Sequence, residues 1–246
     1  MSLSADDLDR HRRHIILKEI GGPGVQKLRA ASVSIIGAGA LGGPCALYLA
    51  AAGVGGIEIW DDDQVERSNL QRQIQFTDED TGAGKAGRLA ARLAALDPSL
   101  NVTAINARFG EGDAPSGNIL IDASDNFATR FALNQLAHAA RRPLISGAAS
   151  GWSGQVGVFA SGVIPEAPCY QCWVPESPPN AEACDDIGVV GAVTGLTGSM
   201  MALEAVKWIT GAGESLIGRI LLIDGLQGEM RSVKLRRDLQ CPVCSA

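Results

Sequence analysis

The sequence lacks an excess of basic residues. Lys and Arg number 21 against 27 Asp and Glu, which gives a formal net charge of −6. A protein that holds nucleic acid by neutralising many phosphates needs the opposite balance, so we expect no nucleic-acid partner. The chain also lacks the polar composition of a disordered protein, because 46% of its residues are hydrophobic.

Signals for export or membrane insertion are lacking as well. The first seven residues contain neither a basic stretch nor an apolar one, so we expect a cytoplasmic protein without a secretory signal. The uncharged run 187–203 contains four Gly and three Ser or Thr, which makes it short and polar for a membrane span. A buried helix at a contact between subunits suits this run better.

Repeats and low-complexity linkers are absent, which favours a single domain of 246 residues. Apolar β-branched runs alternate with Ala/Leu-rich segments, and this predicts an α/β fold with a Rossmann-like, mostly parallel sheet and helices on both faces. The predicted strands are 32–37, 57–60, 102–105, 118–122 and 143–146, and the predicted helices are 44–52, 85–96 and 128–140. A helical start at 8–31 is interrupted at 21–24. Runs at 155–159 and 218–224 predict an antiparallel extension in the second half.

Glycine is plentiful, and three of the 30 glycines form the segment Gly37-Ala38-Gly39-Ala40-Leu41-Gly42 between a predicted strand and a predicted helix. Gly37 permits a tight turn, Gly39 lets the backbone approach a phosphate, and Gly42 lets helix and strand pack closely. Asp61 lies 24 residues after Gly37, at the end of the next strand, where an acid binds a ribose hydroxyl. The segment predicts a nucleotide site without separating NAD from ATP, and a turn that serves packing alone is the alternative.

Charged and amide side chains further along favour a triphosphate over a redox dinucleotide. After the second strand come Asp61, Asp63, Asn69, Arg72 and Gln73, and then Lys85 at the end of a Gly-containing segment. Fixed cations suit a triphosphate whose charge shifts during transfer. Asp125 and Asn126 follow another strand, and Asp125 is placed to reach a Mg²⁺ that bridges phosphates. For each charge taken alone, a solvated surface group is the alternative.

Four of the six cysteines form two C-x-x-C pairs, Cys169 with Cys172 and Cys241 with Cys244. Two such pairs supply the four thiolates of a tetrahedral zinc site, with redox pairs or disulfides as the alternative. A zinc ion there would attach the C-terminus to the body of the domain.

The two remaining cysteines lie in different surroundings. Cys45 falls in an apolar helical segment and is predicted to be a core residue. Cys184 lies in a polar segment, where the neighbouring Asp185 and Asp186 should raise its thiol pKa and so disfavour a ready nucleophile.

These motifs together resemble the ubiquitin-activating-enzyme-like adenylyltransferases of the ThiF/MoeB/HesA type. The likeness runs from about Arg10 to Cys244 and is nearest to the molybdopterin-synthase adenylyltransferase and its thiamine-pathway sibling. It is carried by Gly-x-Gly-x-x-Gly, by Asp61-x-Asp63-x-Val-x-x-Ser-Asn69-Leu-x-Arg72-Gln73, by Lys85 and by Asp122-x-x-Asp125-Asn126. The resemblance implies that Asp61 binds the ATP ribose, that Asn69, Arg72 and Lys85 contact the phosphates, and that Asp125 holds Mg²⁺.

The resemblance also implies a homodimer with a structural zinc on the four paired cysteines. Arg13 matches a family arginine that reaches the partner subunit's ATP, although His11 and His14 stand where the family usually carries Tyr and Gln. Cys184 matches a loop cysteine that some relatives use for covalent or sulfur-transfer chemistry.

The implied reaction is ATP-dependent adenylation of the C-terminal carboxylate of a small ubiquitin-like sulfur-carrier protein ending in Gly-Gly, with release of pyrophosphate. The small subunit of molybdopterin synthase is the favoured carrier, the thiamine-pathway carrier is the alternative, and a separate protein would donate the sulfur. A carboxylate is already ionised at pH 7, so no general base is required and His138 is expected to be an ordinary helix residue. The nucleotide-binding half would span about 30–150, and the half that binds carrier and zinc about 151–246. An NAD-dependent oxidoreductase and a non-catalytic scaffold are the competing hypotheses.

Overall fold

The computed structural model describes residues 3–177 and 188–245. Its helices are α1 (Ala5–Arg10), α2 (Arg12–Ile15), α3 (Gly21–Ala30), α4 (Gly42–Ala52), α5 (Lys85–Leu96), α6 (Phe127–Ala139), α7 (Tyr170–Trp173) and α8 (Gly191–Thr210). Its strands are β1 (Ser32–Ile36), β2 (Gly56–Trp60), β3 (Asn101–Ile105), β4 (Ile119–Asp122), β5 (Leu144–Ser150), β6 (Ser153–Phe159), β7 (Arg219–Asp224) and β8 (Glu229–Lys234). Short 3₁₀ turns lie at Arg67–Asn69 and Asp78–Asp80.

The strands form one sheet in the order β3-β2-β1-β4-β5-β6-β7-β8. The first five are parallel, and β6, β7 and β8 continue the sheet antiparallel. This confirms the predicted fold class. The chain builds outward from β1 to one side and from β4 to the other, so a crevice opens between the carboxyl ends of these two strands.

Both faces of the sheet are covered. On β4, Ile119 and Ile121 join an apolar cluster with residues of α4, α5 and α8, while Leu120 points to a second cluster with residues of α6 and α7. This two-sided burial explains why the parallel strands appear in the sequence as continuous apolar runs. Cys45 is fully buried in the first cluster, as predicted.

Residues 191–203 of the uncharged run form the first part of α8. This helix packs against α4 and the strands β5 and β6. Gly198 brings α8 close to the start of α4, since an added Cβ there would lie 2.4 Å from the Leu41 carbonyl oxygen. Leu196 and Leu203 remain exposed on the opposite side of α8. Across the described ranges, no helix combines the length and apolar character needed to cross a membrane.

Two features differ from the expectation drawn from sequence. Residues 21–24 do not interrupt a helix but form the first turn of α3, where the missing N–H of Pro23 removes no helical hydrogen bond. The sequence also gives no signal for β8, because five of its six residues are exposed and the strand carries no apolar alternation.

Candidate active site

A cavity of about 1420 Å³ opens over the crevice between β1 and β4. Such a volume exceeds the roughly 300–1,000 Å³ of a site for one drug-sized ligand, so there is room for a nucleotide and part of a second substrate. Its wall continues from the glycine-rich turn to the antiparallel strands β6, β7 and β8. The predicted site residues that line it are Gly37, Gly39, Asp61, Asp63, Arg72, Gln73, Lys85, Asp125 and Asn126.

The glycine-rich turn is held in a compact shape that side chains would prevent. Gly37 has a φ of 101°, in the left-handed region, and an added Cβ there would lie 2.6 Å from the Ala123 carbonyl oxygen. An added Cβ on Gly42 would lie 1.8 Å from the carbonyl oxygen of Gly37. The Gln75 side chain supports the turn from behind by donating to the Ala38 and Gly39 carbonyls at 2.8 and 3.0 Å. The turn is therefore preorganised at the N-terminus of α4, where an anion is favoured.

Asp61 joins this turn to the end of β2. One carboxylate oxygen accepts the Ala38 backbone N–H at 2.7 Å, and the other accepts that of Asp63 at 2.9 Å. Burial raises the pKa of Asp61, and the two backbone hydrogen bonds and the charge of Lys85 oppose part of that rise. Each carboxylate oxygen can accept at least one further hydrogen bond, so Asp61 retains capacity for ligand hydroxyls.

Two of the cationic residues that line this cavity, Lys85 and Arg72, differ in burial and in their partners. Lys85 is 6% exposed at the first position of α5, and its Nζ lies 2.7 Å from Oδ2 of Asp63, whose side chain is largely exposed. Arg72 donates to the Ser68 carbonyl at 3.3 Å and forms no ion pair with any residue in the described ranges. An anionic ligand can therefore replace Asp63, whose carboxylate is exposed to water, as the partner of Lys85. The same ligand can bind Arg72 without breaking an ion pair.

The remaining predicted site residues differ in whether they reach the cavity. Asn69 is buried in a 3₁₀ turn, where its side chain donates to Ser68 Oγ at 3.3 Å, and neither Asn69 nor Gly42 lines the cavity. Asn126 is the N-cap of α6, since its Oδ1 accepts the Thr129 N–H at 2.9 Å. Arg13 is exposed on α2 and lies outside the cavity of its own chain.

A buried polar network behind the loop 122–126 was not predicted. Asp122, fully buried at the end of β4, accepts from the Ser124 and Ser146 hydroxyls at 2.5 and 2.6 Å. Arg130 pairs with Asp122 at 3.5 Å and donates to the Ser124 carbonyl at 2.6 Å. The one sequence signal for this group is an arginine four positions after Asn126, which the helical period places beside the loop.

The four paired cysteines meet in one cluster. Their sulfur atoms all lie within 4.8 Å of one another, with Cys169 3.4 Å from Cys241 and Cys172 3.5 Å from Cys244. A tetrahedral zinc site with Zn–S bonds of about 2.3 Å places sulfurs roughly 3.8 Å apart, whereas a disulfide needs about 2.05 Å. The donor set and spacing therefore fit a zinc ion and not two disulfides.

The surroundings of the cysteine cluster also suit a metal. Burial raises the pKa of Cys172 to about 11, so this sulfur is a thiol until a metal replaces its proton. Asn134 donates to the sulfur of Cys169 at 3.5 Å, and the Asp238 backbone N–H donates to that of Cys172 at 3.4 Å. Such outer hydrogen bonds orient thiolate ligands. Cys184 lies outside the described residues.

The doubly wound sheet, the crevice with its glycine-rich turn and the four-cysteine cluster define an α/β protein of Rossmann-like fold with a cleft suited to an anionic ligand. The chain belongs to the ThiF family, whose sequence model matches residues 11–243. This confirms the family resemblance.

Two relatives are similar over nearly their whole length. The chain is 40% identical over 250 residues to the SAMP-activating enzyme E1 of Haloferax volcanii, covering 99% of this chain and 91% of that protein. It is 40% identical over 252 residues to the sulfur carrier protein adenylyltransferase of Thermus thermophilus, with coverage of 99% and 93%. It is also 42% identical over 250 residues to the adenylyltransferase and sulfurtransferase MOCS3 of Drosophila grimshawi, where 99% of this chain spans 55% of that protein.

A solved structure agrees on the fold. The crystal structure of E. coli MccB with ATP superposes with a TM-score of 0.84 at 22% identity, covering 99% of this chain and 75% of that one. The family match and the relatives together show that the chain is an enzyme. It is a nucleotidyltransferase of the ThiF type, as the motifs predict.

Proposed function

We propose that this enzyme adenylates the C-terminal carboxylate of a small ubiquitin-like sulfur-carrier protein that ends in Gly-Gly. The observation that carries the proposal is one cavity of a ThiF-family chain that joins the glycine-rich turn to Asp61, Arg72, Lys85 and Asp125. The names of the Haloferax and Thermus relatives support a carrier or ubiquitin-like substrate. We favour the molybdopterin synthase small subunit as the carrier, with the thiamine-pathway carrier as the alternative.

In this proposal the site holds ATP by groups already in place. The free lone pairs of Asp61 accept the ribose hydroxyls, and the glycine-rich turn at the start of α4 faces the phosphates. Lys85 exchanges its ion pair with Asp63 for one with a phosphate oxygen, and Arg72 contributes a second cation. Asn69 and Gln73 support these two cations at the phosphates. Asp125 is exposed on the cavity wall and supplies carboxylate oxygens for Mg²⁺. When bound, Mg²⁺ neutralises charge on the phosphates.

The chemistry requires positioning and charge stabilisation. A carboxylate oxygen of the carrier attacks the α-phosphorus of ATP, the bond from that phosphorus to the bridging oxygen breaks, and pyrophosphate leaves with the bonding electrons. The product is an acyl adenylate. The attacking carboxylate is ionised at pH 7, so no side chain needs to remove a proton. Lys85 and Arg72 stabilise the charge that develops on the leaving pyrophosphate.

We further propose that two chains act as a homodimer in which Arg13 serves the partner's site. Exposed Leu196 and Leu203 on α8, with exposed Tyr48 on α4, offer an apolar surface for that contact. Mixing Arg13→Ala protein with Lys85→Met protein should restore activity, because one of the two sites in a mixed dimer is intact. If mixing restores nothing while mixed dimers form, Arg13 acts in its own subunit, and if the Arg13→Ala protein is active by itself, Arg13 has no role.

The remaining parts of the proposal concern the second half and the sulfur chemistry. Residues from about 151 onward would bind the carrier and zinc, while about 30–150 would bind ATP. The zinc on Cys169, Cys172, Cys241 and Cys244 would be structural. The sulfur would come from a separate donor protein, and the enzyme would work in the cytoplasm. A thiol role for Cys184 is tested by Cys184→Ser, which should leave adenylation unchanged and affect only a later sulfur step.

Exchange of labelled pyrophosphate into ATP tests the central proposal. We expect exchange that depends on the enzyme, on Mg²⁺ and on a carrier ending in Gly-Gly, and that disappears when the terminal Gly of the carrier is deleted. Running the molybdopterin and thiamine carriers side by side decides between them. Binding of NAD with no heat on addition of Mg-ATP would refute the proposal.

A further inference from the structure

Gln73 is a buried glutamine on the wall of the cavity, next to the glycine-rich turn. It is 4% exposed and lines the same opening as Arg72 and Lys85. An added Cβ on Gly39 would lie 3.5 Å from Nε2 of Gln73, so the amide reaches the part of the turn that a phosphate approaches. The Gln73 side chain therefore stands beside the expected position of the phosphates.

Hydrogen bonds on both sides fix the backbone of Gln73. Its N–H donates to the Asn69 carbonyl at 2.9 Å, and its carbonyl accepts the Phe76 N–H at 3.1 Å. Because the residue is also almost fully enclosed, its side chain has little room to leave the cavity wall. The freedom that remains is rotation of the amide about the last side-chain torsion, which has a broad energy profile.

One end of the Gln73 amide lacks a hydrogen bond. Its Oε1 is buried, and no donor within residues 3–177 and 188–245 binds it. A buried acceptor without a donor destabilises a folded chain, and native proteins contain few such groups. On the wall of a binding cavity, an acceptor of this kind indicates that a ligand supplies the donor.

Gln75, two residues further on, shows what a structural glutamine does at the same turn. Its Nε2 donates to the Ala38 and Gly39 carbonyls at 2.8 and 3.0 Å and so supports the turn. Oε1 of Gln75 also has no donor among the described residues, but Gln75 does not line the cavity. Of these two glutamines, Gln73 is the one that a ligand in the cavity can reach.

The chemistry of the proposed substrates limits what each end of the Gln73 amide can bind. Oxygens of the α-phosphate and of the carrier carboxylate only accept hydrogen bonds at pH 7, so they suit Nε2 and leave Oε1 unsatisfied. The ribose hydroxyls bind Asp61 in the proposed complex. The reaction necessarily brings one further donor beside the α-phosphorus, which is the backbone N–H of the last glycine of the carrier, two bonds from the attacking carboxylate carbon.

We propose that Gln73, in addition to supporting the two cations, binds both substrates at once. Its Nε2 donates to an oxygen of the α-phosphate, and its Oε1 turns to accept the N–H of the last residue of the carrier. Together the two hydrogen bonds align the carboxylate oxygen with the phosphorus that it attacks. This inference rests on the proposed function, because both partners of Gln73 are substrates of that reaction.

Two forms of the carrier test the hydrogen bond to Oε1. One ends in the natural Gly-Gly, and in the other the last glycine is replaced by glycolate, so that an ester oxygen stands in place of the N–H while the carboxylate is kept. Both are made by joining a synthetic C-terminal segment to whichever of the two carriers supports pyrophosphate exchange. With the wild-type enzyme we expect exchange to be about tenfold slower with the ester form, or about 1.4 kcal/mol. Gln73→Met should be at least about tenfold slower with the natural carrier and should no longer distinguish the two forms.

Melting temperatures separate this role from a structural one. Methionine is close to glutamine in size and buries no unpartnered acceptor, so Gln73→Met should melt no lower than the wild type. Gln75→Met removes the donor to two turn carbonyls and should melt several degrees lower. Gln26→Met changes an exposed glutamine on α3 outside the cavity, and it should match the wild type in exchange, in discrimination between the carriers and in melting.

The outcomes distinguish this inference from the proposed function. If folded Gln73→Met still prefers the natural carrier to the ester form as strongly as the wild type does, Gln73 is not the acceptor and the inference is wrong. It is equally wrong if the wild type uses both forms at the same rate. In either case, exchange by the wild type with the natural carrier still supports the proposed function. If the wild type shows no exchange with either natural carrier, the proposed function fails and the inference fails with it.

Discussion

Replacing Lys85 with methionine isolates one charge at the candidate site. Its partner Asp63 has a side chain that is 64% exposed, so water can take over that carboxylate when the ammonium is gone. A partly exposed pair of this kind contributes about 1 kcal/mol or less to stability. Methionine keeps the apolar stem buried at the start of α5. The fold should therefore survive with a melting temperature lowered by about 2–4 °C at most.

The effect on catalysis should be much larger than the effect on stability. Lys85 is a buried cation, and in the proposed complex with ATP it binds phosphate oxygens; removing one such group costs about 100- to 1,000-fold in rate, or about 2.7–4 kcal/mol. We expect carrier-dependent pyrophosphate exchange to fall by that factor in Lys85→Met.

The control for this measurement is Lys18→Met. Lys18 has a side chain that is 91% exposed, and it pairs only with its neighbour Glu19 among the described contacts, so the same substitution should leave exchange unchanged. Calorimetric melting of each variant separates lost chemistry from lost folding. Wild-type exchange by a folded Lys85→Met protein would refute the role assigned to this lysine.

Three further outcomes follow from packing, burial and ligation. Gly42→Ala should destabilise the protein by about 3 kcal/mol, because its Cβ would overlap the Gly37 carbonyl, whereas Gly87→Ala in α5, with nothing within 4 Å, should stabilise it by about 0.5–1 kcal/mol; urea unfolding measures both, and equal effects would contradict the packing argument. Burial lowers the pKa of His11 below its ordinary 6.5, so the unfolded chain binds more protons and the free energy of unfolding should fall as pH drops from 6.5 towards the folded-state pKa. His11→Leu should flatten that dependence, and an unchanged slope would count against it. Cys241→Ser should lower bound zinc below one ion per chain and lower the melting temperature, as a chelator should do to the wild type; metal analysis showing no zinc in the wild type would refute this site.

Short sequence patterns determined the secondary-structure elements, the glycine-rich turn and the cysteine cluster. The order of parallel strands and helices along the chain followed from apolar runs and from the spacing of apolar residues, with a period of 2 in strands and 3.6 in helices. Both patterns arise within short segments. The glycine-rich turn was predictable because Gly37 and Gly42 answer steric demands set by close neighbours. The two C-x-x-C pairs predicted the metal-type cluster, because their ligand chemistry does not depend on how the chain travels between them.

The tertiary structure decided which distant groups meet. Lys85 pairs with Asp63 and Arg130 with Asp122 only because adjacent strands and helices bring these side chains together, and sequence spacing does not encode such contacts. The exposed edge strand β8 forms because β7 offers it backbone partners, not because its own residues favour burial. The hydrogen bond from the Tyr170 backbone to Asn134 likewise depends on α7 packing against α6, a contact set by the fold as a whole. Sequence thus predicted the chemical groups of the site, and packing alone decided which of them act on one another.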